Sequence, residues 1–441
     1  MRKPRWAELG SPKLPLLAIL GALVCALALA ACGGGGSSSS TESPAPSGEE
    51  ATTAGGGGEQ AEGDPIVTWT YTDVNTEGNS VKNLSETVRV YQEWVNAHGG
   101  IDGRPLEAHF CDSRGTPTAA AACAREAVAG NAVAVVSNFS FTGDAVIPIL
   151  EQGKTAQFGN CCQVSPSELT SPVSLGIGNG PLFGTGMVVA AVKEGCKKIV
   201  GVLNEGDEAF EPLMEAAAKA EGTSIQRFVT LPATPGDLSP QVAEATRDGT
   251  DCLLIITPEA NQIAWMAPFA QSGSKARMFG LQGSLTEKAV EGFEEAAEGA
   301  VAVGTFPNLS LPQWANFREA LKEYEADSSE DYNSLAGLGT WAAFEAFKQV
   351  VESMKGEINN EAFLKAADSA KVNLPGMVPP EDFAKPWIKD GGPEGFDRIF
   401  NRCIVYSEIK AGKLVPGPDE FEDVSEASGG SKPMNCGPPF G

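Results

Sequence analysis

The sequence predicts a two-lobed α/β fold with parallel sheets, and three observations carry that prediction. Short runs rich in Val, Ile and aromatic residues alternate with amphipathic stretches from about Pro65 onward, the pattern of βαβ units around a mostly parallel sheet. That body is long for one such sheet, so two units with separate cores fit it better. The strand-like runs also divide into two groups: PIVTWTY, LEAHF and AVAVVS, then KKIVGVL, RFVTL, DCLLIIT and RMFGL, with AVAVGTF following.

The elements follow in chain order. Arg2, Lys3, Arg5 and Lys13 face only Glu8, and residues 14–31 carry no charge. A basic start, an apolar run and a small-residue exit describe an export signal over residues 1–31; an uncleaved anchor helix is the alternative at this length. Leu29-Ala30-Ala31-Cys32 resembles the bacterial lipoprotein box, which implies that Cys32 is acylated and becomes the mature N-terminus. Acyl chains anchor by burying methylenes, about 0.8 kcal/mol each. Residues 33–64 are rich in Gly, Ser, Glu, Pro and Thr, too poor in apolar surface to fold, and make a coil with a reach of about 30 Å. Beyond Pro65, residues 83–98, 118–129, 211–220, 241–247 and 263–272 read as helices. Residues 311–370 form a later helical block that returns to pack on the first unit.

Composition narrows the function classes. Removing the signal deletes four basic residues and one acidic one, taking the formal charge from −25 to −28, which argues against nucleic acid as a partner. The only histidines are His98 and His109. Neither belongs to a Gly-x-Ser-x-Gly nucleophile motif or a metal-ligand spacing, so no catalytic residue, metal or cofactor is expected. The run GIGNGPLFGTG lacks the preceding strand and the acidic residue of a dinucleotide loop and reads instead as a crossover between lobes.

The segment VRVYQEWVNAHGGIDGRPLEAHFCDSRGTPTAAAACAREAV carries a resemblance. Asn96, Gly99, Gly100, Ile101, Gly103 and Asp112 fall in the order seen where a helix ends and a strand follows in branched-chain-amino-acid-type solute-binding proteins of ABC transporters. GCKKIVGVLNEGDEAFEP resembles the opening of that family's second lobe, and PSELTSP and AAEGAVAVGTFP have counterparts as well. The resemblance spans about Asp64 to Val415. It implies two Rossmann-like lobes joined by a three-strand hinge that closes on a ligand, an ABC permease as partner, and a lipid-anchored, extracytoplasmic monomer. The expected organisation is signal 1–31, lipidated Cys32 and tether 32–64, first lobe 65–177 with 308–398, and second lobe with C-terminal tail 178–307 with 399–441. The expected ligand is a small polar organic solute, an amino acid or a related acid or amide. A sensor working with a separate membrane signalling protein is the alternative, since the fold serves both roles.

The resemblance also implies site residues. In that family one lobe grips a ligand carboxylate with a hydroxyl and backbone amides after a strand that feeds a helix. The matching loop is SNFSFTGD, giving Ser140, Phe141 and Thr142, with Asp144 as an ordinary helix cap. The loop after TAQF is two residues longer than the family pattern and offers Cys161, Cys162 and Gln163. NTEGNSVKN brings Asn79 or Ser80 to the mouth. In the second lobe Phe210 stands where the family often has tyrosine. RMFGLQGSL matches the segment carrying the family's ammonium-binding glutamate, and the position here is Gln282. A buried ammonium without a carboxylate is costly, so either Glu205, Asp207 or Glu259 replaces the charge, or the amide takes a neutral ligand, or Gln282 is a surface residue.

With Cys25 in the signal and Cys32 lipidated, eight cysteines remain, an even set that favours disulfides in an exported chain. Placed on this fold, Cys111 ends a strand and Cys123 lies on the next helix. Cys196 and Cys252 start neighbouring strands, and Cys403 with Cys436 pins the tail. Cys161 and Cys162 remain as a vicinal pair or as two thiols.

Overall fold

The computed structural model describes residues 61–76, 80–418 and 420–437; the signal, Cys32, most of the tether and Asn79 lie outside them. The strands β1 (Ile66–Thr72), β2 (Leu106–Asp112), β3 (Ala134–Val136), β4 (Ala156–Phe158) and β5 (Ser174–Leu175) form a parallel sheet in the order β2-β1-β3-β4-β5. Helices α1 (Lys82–Ala97), α2 (Pro117–Ala129), α3 (Gly143–Gly153) and α4 (Pro166–Thr170) connect them. The α1 helix stops at Gly99 and Gly100, both at positive φ, as the helix-ending glycines in the sequence suggested. The start of α2 is set by the Thr116 side chain, which accepts from the Ala119 N–H, with Pro117 in the first turn.

The second sheet repeats the arrangement. Strands β6 (Ile199–Asn204), β7 (Ile225–Leu231), β8 (Cys252–Ile256), β9 (Arg277–Leu281) and β10 (Val301–Gly304) run parallel in the order β7-β6-β8-β9-β10. The helices are α5 (Phe183–Lys193), α6 (Phe210–Ala220), α7 (Ser239–Thr246), α8 (Glu259–Ser272) and the short α9 (Glu287–Val290) and α10 (Glu294–Ala297). Adjacent residues of β8 feed different cores. Leu254 and Ile256 join Met187, Ala191 and Met214 on one face, while Leu253 and Ile255 join Val242, Trp265 and Phe269 on the other. A strand covered on both faces reads as a continuous apolar run, which is why DCLLIIT is legible as a parallel strand.

The chain then returns to the first lobe through α11 (Ala315–Glu323), α12 (Leu335–Ser353) and α13 (Asn360–Ala367), with the two-stranded β11 (Lys371–Val372) and β12 (Glu381–Asp382). Tyr91 of α1 meets Trp341 edge-on and stacks on Phe344 of α12, each at 5.0 Å between centroids. This is the expected packing of the return block on the first unit. A last pass into the second lobe adds β13 (Cys403–Lys410) antiparallel to β10, β14 (Lys413–Pro416) and β15 (Glu422–Asp423). Disulfides join Cys111 to Cys123, Cys196 to Cys252 and Cys403 to Cys436. Cys161 and Cys162 are buried and carry no disulfide in this structure, in keeping with the two-thiol alternative.

Three segments therefore cross between the lobes, after β5, after β10 and before β13, and one fully buried side chain braces all of them. Asn179 donates from Nδ2 to the Cys403 carbonyl at 2.6 Å and accepts from Thr305 Oγ1 at 2.9 Å. Asn401 adds a bond to the Ile177 carbonyl at 3.0 Å. Changing Asn179 to Ala strands a buried carbonyl and a buried hydroxyl, so a loss of about 2–4 kcal/mol is expected by urea denaturation. A loss below about 0.5 kcal/mol would show that the brace is not what holds the crossings.

Candidate functional site

The loops at the C-terminal ends of both parallel sheets enclose a cavity of about 700 Å³ between the lobes, the position where open α/β sheets bind ligands. The first lobe contributes Ser80, Phe139, Phe141, Cys161, Cys162, residues 328–331 and residues 333–336, the loop before α12 and its first turn. The second contributes Asp207, Phe210, residues 256–260, Ile263, residues 281–284 and residues 286–288. Phe141 is 56% exposed and Ile263 37% exposed, large apolar surfaces left uncovered at the cleft. Phe139 supports Phe141 edge-to-face at 5.7 Å.

Among the residues expected from sequence, Ser80, Phe141, Cys162, Phe210 and Gln282 line this cavity. Ser140, Thr142 and Gln163 are not among the lining residues. Ser140 Oγ donates to Asp73 Oδ1 at 3.1 Å and pairs with Thr142 Oγ1 at 2.7 Å. Asp73 also gathers the Ser113 hydroxyl and the Gly115 N–H. The two hydroxyls of the loop are thus turned into the lobe, while Phe141 between them faces out. Gln163 is fully buried and donates to the Glu168 carbonyl, Ser174 Oγ and the Arg398 carbonyl at 3.0, 3.0 and 3.3 Å. It ties β5 to the segment that leads into the third crossing. Asp144 accepts from the Ser167 N–H at 3.0 Å and so caps α4 rather than its own helix.

Gln282 is 6% exposed, lines the cavity and is also committed to the backbone. Its Nε2 donates to the Phe306 carbonyl at 2.8 Å and its Oε1 accepts from the Phe306 N–H at 3.3 Å. The amide continues the β10 edge as an extra peptide group would. A Cβ on Gly304 would lie 2.0 Å from Gln282 Oε1, so the glycine makes room for it. A glutamate could not donate to Phe306, and this explains the amide at the family's glutamate position.

Of the three acids expected near Gln282, Asp207 and Glu259 line the cavity and Glu205 does not. Burial, with Glu208 adding to it, pushes the Asp207 carboxyl up to about 7. The sequence reading missed the loop 328–336, where Glu330 and Asp331 reach the cleft. Burial raises Asp331 to about 6; the Asn333 N–H opposes this, and Glu259, Glu287 and Glu330 reinforce it. The polar stretch SSEDYNS inside an otherwise helical block was the available signal.

A periplasmic binding protein family model matches residues 77–395, and the chain belongs to that family. Its fold is the two-lobed type I arrangement, and its members are extracytoplasmic substrate-binding proteins rather than enzymes. Among solved structures, a fatty acid ABC transporter substrate-binding protein from Thermomonospora curvata is similar at TM-score 0.68 and 18% identity, over 84% of this chain and 96% of that one. A leucine-binding protein, LivK, from Thermotoga maritima matches at 0.62 and 18%, over 81% and 97%. A solute-binding protein from R. palustris in complex with 4-hydroxybenzoate matches at 0.64 and 15%, over 82% and 97%. No curated protein matches the chain by sequence.

Gln282→Glu sets a carboxylate against the Phe306 carbonyl. The expected result is a loss of about 1–3 kcal/mol in chemical denaturation with the cleft otherwise intact. An unchanged midpoint would mean that the side chain is free to turn into the cavity.

Proposed function

We propose that this protein is an extracytoplasmic solute-binding lipoprotein that captures a small polar organic solute in the inter-lobe cleft and delivers it to an ABC importer. The observation that carries this reading is the 700 Å³ cavity, walled by strand-end loops of both lobes and backed by three braced crossings. Aromatic walls with a few polar groups suit a small organic ligand. Ligands as unlike as leucine, a fatty acid and 4-hydroxybenzoate appear in the descriptions of similar structures, so the fold leaves ligand chemistry to these loops. Cys32 supplies the lipid anchor, and residues 33–64 hold the body within reach of a permease.

A thermal-shift screen of amino acids, amines, aromatic acids, amides and polyols tests the capture. Binding to the folded state alone adds RT ln(1 + [L]/Kd), about 2.7 kcal/mol at a hundredfold excess over Kd. At least one compound is expected to raise Tm by several degrees; a flat response across every class would retire the reading. For the anchor, Cys32→Ser is expected to move the chain from the membrane fraction to the soluble one. Retention of the variant on membranes would overturn lipidation at that residue.

A further inference from the structure

Resting on that reading, we infer that the cleft selects a solute whose polar head is a cation and which carries no free carboxylate. The charge around the cavity is one-sided. Among its described lining residues are five carboxylates, Asp207, Glu259, Glu287, Glu330 and Asp331, against a single amine, Lys288. That amine is already held by Glu259 at 3.5 Å, and Glu287 pairs with Lys413 just outside the lining at 2.7 Å, which leaves Asp207, Glu330 and Asp331 without an ion-pair partner among the described residues. The acids come from both walls: Glu330 and Asp331 from the first lobe, the other three from the second. Glu259 and Glu287 act on Asp331 across the cleft. Closing the lobes brings these like charges nearer, which costs energy unless a counter-charge enters with the ligand.

Two further observations favour an organic cation. Ser284 is 7% exposed, lines the cavity, and its hydroxyl has no hydrogen-bond partner among the described residues. That hydroxyl is open to the cavity and can accept from an ammonium or guanidinium N–H of a ligand. The aromatic faces of Phe139, Phe141 and Phe210 on the same cavity supply an apolar seat and a quadrupole that attracts cations. The hydroxyls expected to grip an anion are not free to do so, because Ser140 and Thr142 are spent on Asp73 and each other. A carboxylate at that loop would also approach Asp73.

The test uses the intact chain and a set matched to phenylalanine, with phenethylamine lacking its carboxylate and 3-phenylpropionate lacking its amine, plus agmatine as a second cation and calcium chloride as the metal alone. Binding is followed by calorimetry. At least one of the two amines is expected to bind, and phenethylamine at least tenfold more tightly than 3-phenylpropionate. Asp331→Asn and Glu259→Gln are each expected to weaken the bound amine three- to tenfold, and Ser284→Ala about threefold, with Tm as the check on folding. Equal or tighter binding of the acid or the zwitterion would overturn the inference while leaving solute capture in place. So would calcium binding that displaces the amines, or variants that fold but leave amine affinity unmoved. Silence of both amines also overturns it, and silence of every class in the wider screen retires the capture reading with it.

Discussion

The side chain of Asn179 touches all three passages of the chain between the lobes, and the rest of the architecture hangs on that contact. A buried amide offers a donor and an acceptor at opposite ends of one rigid plane. Here the donor end meets the third crossing at Cys403 and the acceptor end meets the second at Thr305. Two other amides extend the pattern. Gln163 joins residues 174 and 398 on the first-lobe side, and Gln282 clamps Phe306 on the second-lobe side. The back of the cleft is therefore a polar lattice made of fixed amides. Movement of the lobes has to pivot around it, since breaking any one of these bonds leaves buried groups without partners.

Two acids, Glu168 inside the first lobe and Asp331 in the cleft, are handled in opposite ways. Glu168 is fully buried, yet it gathers Gln157, Asn160 and Asn138 side chains, the Ser165 hydroxyl and the N–H groups of Val164 and Ser165. Burial still raises its pKa, but the donors oppose it. In the cleft, the Asn333 N–H is the one donor to the Asp331 carboxylate among the described residues. The first is a finished structural site. The second is left electrostatically incomplete on a surface that the fold exposes to solutes, as groups at functional sites commonly are.

Much of the fold was legible in the sequence, and the boundary of legibility has physical causes. Parallel strands covered on both faces announce themselves as apolar runs, so DCLLIIT and KKIVGVL could be placed, and the strand order then put Cys196 beside Cys252. Side-chain direction in loops could not be read. Whether Ser140 or Phe141 faces the cleft is decided by Asp73, which is 67 residues away in sequence. The inward turn of Gln163 depends likewise on Arg398, at a separation of 235. Gln282 was recognisable as a departure from a carboxylate, but its bond to Phe306 exists only once β9 and β10 are paired. The acidic loop at Glu330 went unassigned because it interrupts a block whose periodicity is helical.

The return of α12 to the first lobe also sets an order for folding. Asn83 bonds to Ser334 across 251 residues and Tyr91 to Glu345 across 254. The five parallel strands of the second sheet lie within one continuous stretch from Ile199 to Gly304. Closing a long loop costs entropy before any contact rewards it, and non-local topology slows folding. As the chain emerges on the far side of a membrane, the second lobe can collapse while the first still lacks the helix that covers one face of its sheet. Until α12 arrives, the part of α1 around Tyr91 that it covers stays open to solvent, and apolar surface left open in a folding intermediate invites aggregation.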